Sequence, residues 1–370
     1  MKKVFAALAL LLSCSFLYGK SLTIFKYKEK YGVINEKKEV VILPEYDSIK
    51  MSSKGLICKT IQEDFTKYSI FDTKGLLIYY SDRASLPYFV SDNYVAFIDP
   101  TKGKGYQILN LESHQLLSTD SSSKISSGSD DSVPLYPIGK AYFKKDFSKV
   151  GIKPLFLDIK PFREGYASVH VKEGNKPGLN SADTAEDRYY FINSKGKKVL
   201  GPFRHVSDFI SEGIFAVYTL DGRIGFMNVK GEYLFSADLL PTSTSEETPS
   251  YNYEFHDGYV VTETDSPDSI KIFNTKGIET KKPANFSSCD PNFSQGLLGF
   301  SDKDTGLWGF MNGKGKVIVP CIYKKTSPFQ GDFASVELQD EEGNVVDGII
   351  DRKGKFYSSE SLVNPVNIKK

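Results

Sequence analysis

The sequence predicts an all-β fold: tandem antiparallel β-meander repeats, arranged as a propeller-like ring in preference to an open β-solenoid. Three observations carry this expectation. A short apolar strand ending in Asn or Asp, then Lys-Gly, then a β-branched run recurs along the chain. Between these corners recurs a second element, an aromatic residue followed closely by glycine and alternating apolar residues. The 370 residues hold 26 Phe, 22 Tyr and 30 Gly, a composition that favours sheet punctuated by turns. Apolar residues at 40% and charged residues at 25% exclude wholesale disorder and a polytopic membrane protein. With 47 Lys plus Arg against 46 Asp plus Glu the net charge is +1, which speaks against a nucleic-acid partner.

In chain order, the first element is a targeting signal. Lys2 and Lys3 precede the apolar run Val4 to Leu12, which is too short to span a bilayer. Two cleavage sites compete. One lies after Gly19. The other lies before Cys14, where Leu11-Leu12-Ser13-Cys14 resembles the lipobox of bacterial lipoproteins and makes Cys14 a candidate for lipidation. Residues 1–19 therefore read as a signal peptide, 20–357 as the repeat domain and 358–370 as a flexible tail. The expected location is outside the cytoplasm: periplasm, outer membrane or cell surface through a lipid anchor, or secreted.

The repeat is legible in Tyr31-Gly32-Val33-Ile34-Asn35, Ile70-Phe71-Asp72-Thr73-Lys74-Gly75, Phe191-Ile192-Asn193-Ser194-Lys195-Gly196, Phe226-Met227-Asn228-Val229-Lys230-Gly231, Ile272-Phe273-Asn274-Thr275-Lys276-Gly277, Trp308-Gly309-Phe310-Met311-Asn312-Gly313-Lys314-Gly315 and Ile349-Ile350-Asp351-Arg352-Lys353-Gly354. The Asn or Asp side chain caps the turn, Lys fills an exposed tip, and Gly supplies the left-handed conformation that closes a tight hairpin. The second element is read in Phe162 to Val169, Phe209 to Val217, Phe255 to Val261 and Phe293 to Leu298. Each unit is a small meander that cannot bury its apolar face alone, so stacking several makes the core. First strands near residues 31, 68, 104, 151, 190, 224, 271, 308 and 348 give eight or nine units, with the copies near 104 and 151 degenerate.

These residues resemble the WG-repeat family, also called KWG repeats, over most of Tyr31 to Tyr357. Leu307 to Val336 matches best. Trp308 alone keeps the name-giving tryptophan, Lys38 stands where the turn glycine belongs and Asp332 where the corner glycine belongs. The resemblance implies a β-repeat module common in bacterial surface and exported proteins, with no general catalytic site to carry over.

Leu22 to Tyr27 reads as a strand resembling the third strand of a unit, while the last copy stops after two strands. The termini are therefore expected to complete one blade together, which removes exposed edges. Ser118 to Val133, Val171 to Asp187 and Pro241 to Tyr251 read as surface loops.

Chemistry is sparse. His114, His170, His205 and His256 form no metal-binding spacing, and serine-elbow and phosphate-loop motifs are absent. Asp302-Lys303-Asp304-Thr305-Gly306 reads as a polar turn rather than a calcium loop. Cys289 and Cys321 either pair or, with Cys58, act as small buried hydrophobes, the reading we prefer. The expected function is an exported, non-enzymatic binding scaffold without cofactor or metal, engaging an unknown protein partner at the cell envelope. The alternative is a carbohydrate-binding module or glycan-directed enzyme that uses Tyr79-Tyr80, Tyr189-Tyr190 or Tyr251 and Tyr253 as stacking platforms.

Overall fold

The computed structural model describes residues 21–63, 65–81, 86–98, 105–119, 123–138, 141–144, 156–174, 186–242, 251–263 and 269–364. Residues 1–20, on which the expected signal peptide and Cys14 fall, and residues 365–370 lie outside them. Among the described residues there are thirty strands and one short helix, Ser359–Val363, and every strand pairing is antiparallel.

Among the described residues, nine hairpins form the middles of nine units. They are Thr23–Tyr27 with Lys30–Ile34, Gly55–Gln62 with Phe65–Asp72, Tyr94–Ile98 with Tyr106–Asn110, Leu135–Ile138 with Ala141–Lys144, and Ala167–Glu173 with Glu186–Ile192. Ile214–Tyr218 with Ile224–Asn228, Tyr259–Glu263 with Ile270–Asn274, Leu297–Asp302 with Trp308–Asn312, and Phe333–Gln339 with Val345–Asp351 follow. A full unit adds a short inner strand before the hairpin and an outer strand after it, as in the sheet built from His205–Val206, the sixth hairpin and Tyr233–Ser236.

In seven units the turn after the third strand takes the expected form. The side chains of Asn35, Asp72, Asn193, Asn228, Asn274, Asn312 and Asp351 each accept the N–H groups two and four residues on, at 2.8–3.1 Å. Gly75, Gly196, Gly231, Gly277, Gly315 and Gly354 follow at φ between 74° and 83°. Lys38 holds the same place at φ 66°. The glycine of the Trp-Gly pair has a different reason. Its φ is ordinary, but a Cβ on Gly309 would lie 2.5 Å from the Val319 carbonyl oxygen, and one on Gly32 would lie 2.7 Å from that of Ile42. The outer strand shifts register opposite these glycines and its backbone closes in.

The core is not one mass but nine apolar seams, each between neighbouring units. Val33 meets Leu56 and Cys58, Ile70 meets Phe97, and Tyr94 meets Tyr136. Tyr142 meets Phe162, Phe191 meets Phe215, and Phe226 meets Phe255. Ile272 meets Phe293, and Phe310 meets Phe329. The ninth seam joins Phe333 and Ile349 of the last unit to Phe25 and Ile34 of the first. Several seams hold an aromatic pair with centroids 4.8–5.4 Å apart, each contributing about 1 kcal/mol beyond its buried area. The row of units thus returns on itself as a propeller-like ring.

The two ends meet as neighbours, not as one shared blade. Thr23–Tyr27 pairs with Lys30–Ile34 as the second strand of unit 1, and the last hairpin already carries its own outer strand, Phe356–Ser358. The expected shared blade is corrected accordingly. Polar contacts seal the seam: Thr23 Oγ1 donates to the Gln330 carbonyl at 2.7 Å, and Lys26 Nζ reaches Glu337 at 3.1 Å. The Lys38 ammonium lies 4.8 Å from the Tyr357 ring centroid.

Three further expectations change. The fourth hairpin begins its third strand at Ala141, not near residue 151, because the run Leu135–Ile138 is the second strand of that unit. Ser118 to Val133 is not simply a surface loop: Ile125 is fully buried and bridges Ile138. The tail from Ser358 is structured through Asn364, with Ser358 capping the helix and Leu362 and Val363 packed on the first seam strand.

Candidate functional site

The aromatic-x-x-Gly element builds the inner corner of each unit. Glu164-Gly165, Glu212-Gly213, Asp257-Gly258 and Gln295-Gly296 all have both residues at positive φ, 50–57° for the first and 71–85° for the glycine. This is the mirror-image two-residue turn that suits a twisted hairpin. Reciprocal backbone bonds close it, as between Arg163 and Tyr166 at 2.8 and 3.0 Å. A side chain at positive φ costs about 1–2 kcal/mol, and here the carboxylate offsets it by reaching the next unit. Glu164 accepts the N–H of Glu212 at 2.7 Å and of Gly213 at 2.8 Å. Glu212 accepts from Gly258 at 2.9 Å, and Asp257 from Gly296 at 2.9 Å. Upstream, Asp130 accepts from Glu164 N at 2.7 Å. Downstream, Gln295 accepts from Arg352 Nη2 at 2.6 Å. In unit 9 the glycine itself, Gly331, takes the left-handed position.

The corners converge around the centre of the ring, and the two halves of that centre differ. Across units 4 to 7 it is filled. Arg163 donates from Nε to the Gly128 carbonyl at 3.4 Å, lies 3.9 Å over the Phe209 ring, and pairs with Glu254. Beside it Lys160 lies between Asp158 at 3.2 Å and Asp208 at 3.4 Å. Burial pulls its ammonium down, but the two carboxylates outweigh this and raise it. Across units 8, 9, 1, 2 and 3 the centre is open, a cavity of about 560 Å³. Leu22, Met51 and Phe329 give it apolar wall, and Ser53, Thr73 and Gln295 give it hydroxyls and an amide. Its carboxylate, Asp92, already accepts from Ser53 Oγ at 2.7 Å.

The residue family behind these turns and repeats is matched directly: the description "WG containing repeat" fits residues 31–58 and 308–344. These two segments carry the WG-containing repeat. Among solved structures, the chain is similar to Porphyromonas gingivalis dipeptidyl peptidase 4 at 10% identity and a TM-score of 0.43, over 94% of this chain and 60% of that one. The chain thus spans 60% of the length of that protein. It is also similar to the β-propeller domain of the Trilobed protease from Pyrococcus furiosus, at 11% identity and a TM-score of 0.37, over 87% and 97% of the two chains. Kluyveromyces lactis Hsv2p is similar at 11% identity and a TM-score of 0.34, over 80% and 94%. No curated protein matches.

The repeat-defining residues are not gathered at one site. Asn35, Asp72, Asn193, Asn228, Asn274, Asn312 and Asp351 sit one per unit, and Trp308 is half-buried in its strand. The paired tyrosines are mostly packed inside: Tyr190, Tyr251 and Tyr253 are 6–8% exposed, and only Tyr80 stands out at 50%. Asp302 accepts from Asp304 N and Thr305 N at 3.0 Å, a polar turn. Among the described residues no group of three or more His, Cys, Asp and Glu is placed to hold a metal ion. Cys58, Cys289 and Cys321 are free thiols, and burial pushes the first two up to about 12 and Cys321 to about 11. His170 bonds Asp187 at 2.7 Å and stacks on Tyr189 at 4.6 Å.

The sequence reading missed the corner acids and their reach to the next unit. The signal was present: an acid or amide stands directly before the corner glycine in four copies. A side chain repeatedly placed at a left-handed position needs a compensating partner.

Proposed function

We propose that the chain is an exported, non-enzymatic binding scaffold that engages another protein at the cell envelope through the central cavity and the corners around it. The observation that carries this reading is the cavity of about 560 Å³ walled by five different units. Its size suits a bound segment of chain, and its wall mixes apolar side chains with hydroxyls and an amide that match a peptide backbone. Its wall is tied from unit to unit by Gln295 with Arg352 at 2.6 Å, Ser53 with Asp92 at 2.7 Å and Thr23 with the Gln330 carbonyl at 2.7 Å, so little order has to be gained on binding. Export is supported by Lys2, Lys3 and the apolar run that follows them. Burial of Tyr190, Tyr251 and Tyr253 takes support from a glycan platform.

The test is affinity capture from envelope extracts with the mature chain and with Thr73→Trp, which fills the mouth of the cavity and breaks no hydrogen bond described here. The reading expects a specific protein whose capture falls at least tenfold in the variant, with an unchanged Tm. Capture that ignores the substitution, or hydrolytic turnover of peptidoglycan or polysaccharide by the purified chain, overturns it. Mass spectrometry of the mature N-terminus decides between cleavage after Gly19 and an acylated Cys14.

A further inference from the structure

Between units 5 and 6 lies a further cavity, of about 370 Å³, which shares no lining residue with the central one. Unit 6 contributes Arg204, His205, Tyr218 and Leu220, and unit 5 contributes Glu186, Asp187 and Arg188. The cavity sits at the Tyr218 end of Ile214–Tyr218, whose other end adjoins the corner Glu212-Gly213. The strand therefore separates it from that corner by about 13 Å.

The charges on this wall are paired except one. Arg188 pairs with Glu186 and donates from Nη1 to the Asp187 carbonyl at 2.9 Å. Asp187 holds His170 at 2.7 Å. Arg204 meets no carboxylate among the described residues. Its side chain donates from Nη1 to the Tyr218 hydroxyl at 3.3 Å, and its guanidinium carbon lies 5.2 Å from the Tyr218 ring centroid. A guanidinium is all donor, so the group is oriented against a ring with most of its hydrogen-bonding capacity unused. Arg163 and Arg223, by contrast, each have a carboxylate, from Glu254 and Asp221. His205 is the second group left over. Its Nδ1 is buried without a partner, where a buried polar atom normally has one. Its ring lies 5.1 Å from that of Tyr189 and 6.2 Å from that of Tyr251. Burial, helped by His170 and Arg204 and opposed by Asp187, holds the imidazole below its ordinary range. At pH 7 it is therefore neutral and can donate one hydrogen bond.

We infer that this cavity binds a small organic monocarboxylate, with the carboxylate on Arg204 and His205 and the apolar body against Tyr218 and Leu220. The guanidinium fork matches a planar carboxylate through two parallel hydrogen bonds. One unpaired cation fits a single negative charge, and Glu186 and Asp187 on the same wall oppose a dianion such as phosphate. The volume suits a small molecule, and a mostly polar wall with one aromatic and one aliphatic side chain fixes its orientation. The site is independent of what the central cavity binds.

The test is titration of the mature chain with benzoate, N-acetylleucine, benzamide and inorganic phosphate, read by NMR at the His205 ring and the Leu220 methyl groups. Benzoate or N-acetylleucine should shift both sets of signals saturably, and the tighter of the two tells a free acid from a chain end. Benzamide should bind at least tenfold more weakly than the acid, and phosphate should leave Leu220 unmoved. Arg204→Gln should weaken the acid at least tenfold with an unchanged Tm, since Arg204 is exposed. Tyr218→Phe, which only frees the guanidinium from its orienting hydroxyl, should weaken it less. Thr73→Trp in the central cavity should leave it unchanged, which separates this site from the one proposed for a protein partner. Three outcomes overturn the inference: no saturable shift with either acid, benzamide binding as well as benzoate, or binding indifferent to Arg204→Gln.

Discussion

Gly309 and Gly165 are both glycines for reasons that can be separated. At Gly309 the backbone is ordinary and the Val319 carbonyl leaves no room for a Cβ. At Gly165 nothing lies within 4 Å of a Cβ, but φ is +85°. We therefore expect Gly309→Asn to destabilise by about 2–3 kcal/mol through the displaced outer strand. Gly165→Asn should cost less than about 1 kcal/mol, since Asn accepts the left-handed region. Denaturant midpoints compare the two. Asp290 makes a second prediction at this scale. Burial pushes its carboxyl up to about 6 against one opposing backbone N–H from Gly299, while the unfolded value is 3.8. Between those values the folded chain keeps a proton the unfolded chain has lost, so stability falls as pH rises from about 4 to about 6. The penalty above that window is of the order of 3 kcal/mol. Asp290→Asn should raise the denaturant midpoint at pH 7 and remove that slope. The turn residues were legible because Asn, Lys and Gly each have a local reason to be there. The space at Gly309 was not, because the strand that crowds it is eight or more residues away and shifted in register.

Among the elements, the hairpins were readable and the inner strands were not. Hairpins carry a closing turn and alternation over five or more residues, as in Trp308–Asn312. Inner strands such as Tyr88–Phe89, Asp158–Ile159 and His205–Val206 are two residues long, too short for any period to show. Unit 4 was misplaced for a related reason: it has no Asn-x-Lys-Gly turn, and Leu135–Ile138 was hidden behind a Ser- and Asp-rich stretch that holds its corner. The ion pair that pins the first element to the last is testable here. The Lys26 side chain is 14% exposed and faces Glu337 at 3.1 Å and Asp347 at 3.9 Å. Lys26→Met leaves Asp347 without its cation and Glu337 with only the exposed Lys325 at 3.6 Å, and should destabilise by about 3 kcal/mol. Exposed Lys230→Met should change stability by less than about 0.5 kcal/mol. Thermal unfolding of both variants checks this.

For the molecule as a whole, stability rests on neighbour contacts repeated nine times. A stack of repeats with two free ends leaves apolar faces that need capping. Here the first and last units cap each other through Phe25, Ile34, Phe333 and Ile349. The sequence pointed to a ring through its strand at Leu22 to Tyr27, but it assigned that strand to the wrong unit. Alternation tells that a segment is a strand, not which neighbour it joins. The central cavity was not legible either, since Leu22, Met51, Thr73, Gln295 and Phe329 come together only after the ring has formed.

That the two ends are neighbours is tested by a distance between spin labels on Lys37→Cys and Lys353→Cys, in a chain whose three native thiols are replaced. Both positions are exposed tips of turns, in the first and last units. A ring predicts one narrow population at about one sheet spacing, roughly 10 Å plus the label arms. An open array of the same units would hold the labels roughly 80 Å apart, and a population at that separation would contradict the account.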